Sequence, residues 1–163
     1  MSADFAIVTG GSSGIGRHLV EALVKAGYRV AFNHMDASAA AADFASSLCS
    51  AGHCVMEVRC DVGVKADVER FYGDAVAWSG EAPKLLVNNA GIQTWSPLLD
   101  LDEERWDAVI RTNLKGCFLN IQNAGRLMAQ SGRGGAIVNI GSGCNKLAFP
   151  KLVDYTASKG GIE

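Results

Sequence analysis

No stretch of the 163-residue chain approaches the roughly 18 apolar residues that a membrane-spanning helix needs. Lysine and arginine never cluster, and the formal net charge is −2, which excludes sequence-independent affinity for nucleic acid or acidic membranes. The five cysteines, Cys49, Cys54, Cys60, Cys117 and Cys144, are odd in number and form no C-x-x-C, so reduced thiols are expected rather than a disulfide framework. Histidines are few and scattered at His18, His34 and His53, which leaves no metal site to expect. The opening Met1-Ser2-Ala3-Asp4-Phe5 carries neither a basic segment nor an apolar stretch of signal length, and a cytoplasmic protein is expected.

What the chain does have is 48% hydrophobic residues against 20% charged ones, the balance of one globular domain over residues 1–163. Short β-branched runs at 5–9, 29–33, 53–59, 84–88 and 136–140 read as strands. Amphipathic stretches lie between them. The first places Ile15, Leu19, Leu23 and Val24 on one face and ends at Gly27, and the third repeats the pattern with Val64, Val68, Phe71, Ala75 and Trp78. Further helices are expected over 38–50, 102–111, 114–130 and from Asp154 onward. Such alternation forces right-handed crossovers and a parallel sheet covered on both faces, an α/β doubly wound (Rossmann-type) fold with strand order 3-2-1-4-5.

Thr9-Gly10-Gly11-Ser12-Ser13-Gly14-Ile15-Gly16 joins the first strand to the first helix, where a dinucleotide pyrophosphate would meet a helix N-terminus. Gly10 permits the tight turn, Gly14 permits backbone approach to phosphate, and Gly16 permits close packing of helix on strand. A triphosphate-binding P-loop is excluded, because Arg17 and His18 stand where that motif needs Lys and then Ser or Thr. The G-x-G-x-x-G spacing is also absent, since the glycines are spaced G-x-x-x-G-x-G.

Toward the other end, Ser142 precedes Tyr155 by thirteen residues and Lys159 follows it by four. A phenol and an ammonium one helical turn apart share a face, a pairing also ordinary on surface helices. An ammonium about 4 Å away is worth about 4 kcal/mol at an effective dielectric of about 20, the scale needed to bring a phenol from about 10 to about 7. A lysine stem is flexible, so such a pair requires an anchor. Serine hydrolase chemistry is excluded at Ser142: Ile140 replaces the first glycine of G-x-S-x-G and no histidine follows. Cys144 reads as a loop thiol or as a residue facing the substrate cleft.

With these motifs in order along essentially its whole length, the chain resembles the classical short-chain dehydrogenase/reductase family, whose cofactor motif is T-G-x-x-x-G-x-G. Asp61-Val62 matches the family's adenine-flanking acidic residue, and Asn88-Asn89-Ala90-Gly91 matches its N-N-A-G motif. Asn113, Ser142, Tyr155 and Lys159 match its catalytic asparagine, serine, tyrosine and lysine. Taken singly, Asp61 and Asn113 also read as helix caps and Asn88-Asn89 as turn formers. The resemblance implies hydride transfer between a nicotinamide and a carbonyl or secondary alcohol, with the dinucleotide held by Gly10, Ser12, Ser13, Gly14, Ile15, Gly16, Asn33, His34, Asp61, Val62, Asn89, Ala90, Gly91, Tyr155 and Lys159. The expected partner is a small carbonyl or alcohol, and the complete protein is expected to be a homo-oligomer, a dimer or a tetramer.

Cofactor choice turns on the end of the second strand, Phe32-Asn33-His34-Met35-Asp36. His34 stands where NAD-preferring relatives usually carry Asp, which tilts the choice from NAD to NADP, although no arginine follows. A six-strand arrangement needs one more unit after the helix at Asp154, so a domain incomplete at its C-terminal side is expected, with the fifth strand left as an apolar edge. The alternative function is a catalytically incompetent dinucleotide-binding fragment or pseudoenzyme.

Overall fold

A computed structural model describes residues 4–36, 39–147 and 149–163. Five parallel strands, β1 Phe5–Val8, β2 Arg29–His34, β3 Val55–Arg59, β4 Leu85–Asn88 and β5 Ala136–Asn139, form one sheet in the order β3-β2-β1-β4-β5. Both the doubly wound class and the strand order are those the sequence implies. The helices are α1 Gly14–Lys25, α2 Ala40–Ser50, α3 Lys65–Ser79, α4 Glu103–Val109, α5 Gly116–Gln130 and α6 Val153–Gly160.

Alternation along β1 divides the core. Phe5 and Ile7 join Phe71, Tyr72 and Ala75 of α3 and Leu119, Ala124 and Met128 of α5 in one apolar cluster. Ala6 and Val8 point to the other face, where Val20 and Val24 of α1 meet Ala41 and Phe44 of α2. A strand buried on both sides needs apolar residues at every position, which is why β1 reads as an unbroken run. Between α3 and α5 the Tyr72 hydroxyl donates to the Asn120 carbonyl at 3.1 Å. Burial pushes the Cys60 thiol up to about 12 and the Tyr72 phenol well above its usual value.

Three details depart from the sequence reading. Ile15 is 64% exposed, because the first turn of α1 overhangs a cleft instead of resting on the sheet; Val20 takes its place in the core. Trp78, expected on the buried face of α3, is 38% exposed and meets Phe5 only edge-on at 6.0 Å. The two helices expected over 102–111 and 114–130 are one helical run, α4 and α5 being joined by a π-helical segment, Ile110–Lys115. A π segment accommodates an inserted residue without ending the helix, so Thr112-Asn113 reads as a break in sequence and is not one in space. The start expected at Ser38 for the second helix lies outside the described residues.

At the sheet's edge, Ile137 and Val138 of β5 are 37% and 45% exposed, the apolar edge anticipated from the sequence. Phe71, by contrast, is fully buried between sheet and α5. Phe71→Ala is expected to lower unfolding stability by about 3–5 kcal/mol, read as a lower urea midpoint with an unchanged m-value.

Candidate active site

The peptide groups after β1 leave the sheet and are caught by side chains from its neighbours. Asn33, buried at the end of β2, accepts from the Gly10 N–H through Oδ1 at 3.1 Å and donates through Nδ2 to the Cys60 carbonyl at 2.8 Å. Its own carbonyl accepts from the Gly11 N–H at 2.9 Å. From the β4 side, Asn89 Nδ2 donates to the carbonyls of Thr9 at 3.0 Å and Gly10 at 3.2 Å. Thr9 Oγ1 returns the tie, accepting from the N–H groups of Asn89 at 2.9 Å and Ala90 at 3.0 Å.

Space around this turn explains its glycines. A Cβ on Gly16 would lie 2.0 Å from the Gly10 oxygen, so nothing larger fits where α1 crosses the turn. Gly14, at φ +52°, instead faces open space. Ser13, the residue preceding α1, makes no side-chain cap, and no acidic residue occupies the first turn. The first N–H groups of α1 are thus left to a ligand, at the end of a helix whose dipole favours an anion.

Above the turn is a cleft of about 590 Å3, within the size range of cofactor pockets. Gly10, Ser12, Ser13, Gly14 and Ile15 form its floor, Asn33 and His34 one wall, Asp61 and Val62 another, and Asn89, Ala90 and Gly91 a third. These are among the expected dinucleotide residues; of the rest of that set, Gly16 lies behind the turn as a packing residue, and Tyr155 and Lys159 do not line the cleft. Met35, Asp36, Cys60, Ile92, Arg111 and Thr112 also line the cleft. Spacing alone does not single them out, because their places depend on the β2–β3 register and on the π segment. An uncapped helix end, an open glycine face and a cleft of this volume fit a dinucleotide.

Asp61 is held firmly: Oδ2 accepts from Arg111 Nη1 at 2.7 Å and Oδ1 from the Gly63 N–H at 2.8 Å. The second contact closes a local turn ahead of α3, whose N-cap, Val64, has no side-chain cap, so Asp61 does not cap that helix. Asn113, inside the π segment, caps nothing. Its amide brackets Ile92, accepting from the N–H and donating to the carbonyl at 2.8 Å each, and also donates to Ser158 Oγ at 3.0 Å. This ties the segment after β4 to α6.

Lys159 is buried, and its ammonium donates to the Ile140 carbonyl at 2.6 Å while standing 5.7 Å from the centre of the Tyr155 ring. That carbonyl, just past β5, is the anchor the flexible stem requires. Desolvation lowers the lysine pKa from its usual value, partly opposed by the nearby Cys117 sulfur. Asp154, buried at the first turn of α6, accepts from the Tyr155 N–H at 2.8 Å and from the Thr94 hydroxyl, fixing where α6 begins. Ser142 Oγ accepts from the Cys144 N–H at 3.2 Å, so Cys144 serves the serine loop through its backbone. Tyr155, Lys159 and Ser142 stand outside the wall of the large cleft. Among the described residues no hydrogen bond joins Ser142 to Tyr155.

Fold and turn together define a Rossmann-type α/β protein with an anion-receptive turn after β1. The short chain dehydrogenase family model matches residues 4–163, and the chain belongs to that family. It is similar to the 3-oxoacyl-[acyl-carrier-protein] reductase FabG of Staphylococcus aureus (strain Mu50), with 35% identity over 96% of this chain and 63% of that protein. It is also similar to the uncharacterized oxidoreductase YgfF of Escherichia coli K12, with 38% identity over 97% of this chain and 65% of the relative. A crystal structure of a short chain dehydrogenase from Mycobacterium smegmatis superimposes with a TM-score of 0.93 at 26% identity, over 99% of this chain and 67% of the other. The chain thus spans somewhat under two thirds of the length of the curated relatives it matches.

Thr9 was read in the sequence as part of the glycine motif, and its hydroxyl proves to be the clasp between the two loops. Thr9→Val should leave the Asn89 and Ala90 N–H groups unpaired and cost about 1–3 kcal/mol, measured by urea unfolding. Thr9→Ser should restore most of the loss.

Proposed function

We propose that this chain is the dinucleotide-binding and proton-transferring part of an NAD(P)-dependent oxidoreductase that interconverts a small carbonyl compound and a secondary alcohol. The observation that carries the reading is the braced glycine turn beneath a cofactor-sized cleft, with a buried lysine anchored beside a tyrosine. Residues 1–163 act as a single dinucleotide-binding domain, and the whole protein works in the cytoplasm as a homo-oligomer on a small-molecule substrate.

A bound nicotinamide supplies or accepts the hydride. Tyr155 gives its proton to the developing alkoxide during reduction and takes it back during oxidation. Ser142 donates a hydrogen bond to the same oxygen, its proton being free to do so while its oxygen accepts from the Cys144 N–H. Lys159, held by Ile140, keeps positive charge beside the phenol where phenolate forms. Behind it, a cavity of about 10 Å3 lined by Asn113, Asn88, Asn120 and Lys159 has room for about one water. Such a water would relay protons from Lys159, the role the family resemblance implies for Asn113. Cofactor choice falls to NADP ahead of NAD, because His34 stands where a carboxylate would grip the ribose 2′-hydroxyl.

A second reading, a dinucleotide binder without turnover, draws on Ser142, Tyr155 and Lys159 standing outside the wall of the large cleft. Nicotinamide fluorescence titration combined with turnover against ketones and secondary alcohols separates the two. Tyr155→Phe is expected to lower kcat by about 10²–10⁴-fold while changing the nucleotide Kd by no more than about threefold. Nucleotide binding with no turnover by the unmodified protein would favour the second reading.

A further inference from the structure

His34 is only 7% exposed, yet its ring is wedged between two carboxylates. Nε2 lies 2.7 Å from Glu57 Oε2 of β3, and Nδ1 lies 3.9 Å from Asp36 Oδ2 at the cleft. A carboxylate only accepts, so Nε2 carries the proton shared with Glu57. Nδ1 is buried and has no hydrogen-bond partner. Asp36 is 39% exposed along its side chain and lines the cleft beside His34.

The two states of the ring treat Asp36 differently. With the ring neutral, Nδ1 presents a lone pair, and the Asp36 carboxylate is left free to accept from a ligand hydroxyl. With the ring charged, Nδ1–H points at that carboxylate and pairs with it. The cluster of Asp36, His34 and Glu57 then carries one negative charge instead of two. Histidine is the side chain suited to such a change between about pH 5 and 8. We propose that His34 is a protonation switch for nucleotide selectivity, the NADP preference proposed above being that of its charged state: neutral, it leaves Asp36 to hold a ribose 2′-hydroxyl and repel a 2′-phosphate; charged, it withdraws Asp36 and admits the phosphate.

Other charges near the ring do not duplicate this role. Arg59 pairs in register with His34 across β2 and β3, but its side chain is exposed. Arg70 of α3 is bound to the Arg59 carbonyl and to Asp67. Across the cleft Asp61 is matched by Arg111. On the α1 side Arg17 lies over the Phe44 ring at 4.1 Å, with Phe44 against Phe32 and Phe32 6.5 Å from His34. Cys60 donates its N–H to the His34 carbonyl, and its thiol stays protonated because burial pushes it up to about 12.

The inference rests on the dinucleotide reading of the cleft, and one experiment separates the two. Dissociation constants of NADH and NADPH are measured by fluorescence for the purified protein and for His34→Asn and Glu57→Gln, from about pH 5.5 to about pH 8.5. A phosphomonoester itself titrates near pH 6, so the readout is the Kd ratio, NADPH over NADH, relative to the trend in His34→Asn. That ratio should rise with pH by about tenfold more in the unmodified protein than in His34→Asn, equivalent to about 1.4 kcal/mol. In Glu57→Gln the step should move away from its position in the unmodified protein, because the carboxylate facing Nε2 is gone.

Coincident trends in the unmodified protein and His34→Asn would overturn the switch while leaving the dinucleotide reading intact. If His34→Asn does not fold, an unmoved step in Glu57→Gln overturns it. Failure of both nucleotides to bind at every pH overturns the dinucleotide reading and the switch with it.

Discussion

The peptide groups that follow β1 have lost their sheet partners before α1 can supply new ones, and nearly everything at the candidate site depends on how they are caught. Asn33 from β2 and Asn89 from β4 reach across from opposite sides, and Thr9 closes the second tie. The sheet order places β2 and β4 on either side of β1, so these ties exist only in this topology. Buried polar groups left unpaired would each cost about 1–3 kcal/mol; pairing them holds the turn in one shape. With that shape set, the first turn of α1 is held over the cleft with its N–H groups uncapped.

A second set of ties places the end that carries Tyr155 and Lys159. Asn113 links Ile92, after β4, to Ser158 of α6, and Asp154 fixes the start of α6 through Thr94 and the Tyr155 N–H. The Ile140 carbonyl then holds the Lys159 ammonium. Tyr155 and Lys159 are thereby referred to the same sheet as the glycine turn, through β4 and β5.

Much of this was legible in the chain. Parallel strands buried on both faces appear as unbroken apolar runs, and the glycine spacing declares itself because Gly16 has no room for a side chain beside Gly10. Where the reading failed, a tertiary contact overrode local pattern. Ile15 fits the apolar stripe of α1 but sits over the cleft, and Thr112-Asn113 looks like a helix break but is absorbed by a π segment. The pairing of His34 with Glu57 was not legible, because it arises from the register of β2 on β3 and joins residues distant in sequence. Thr9 belonged to a recognised motif, yet its task as a clasp appears only when the loop after β4 is brought beside it.

The central claim, that bracing of the turn after β1 prepares it for a pyrophosphate, can be tested without any turnover. Backbone amide resonances followed during titration with ADP-ribose should shift most at Ser12 to Gly16, where the α1 N–H groups are uncapped, with smaller shifts at Asn89 to Gly91. Saturable binding with the largest shifts elsewhere, or no shift in the turn, would contradict the account.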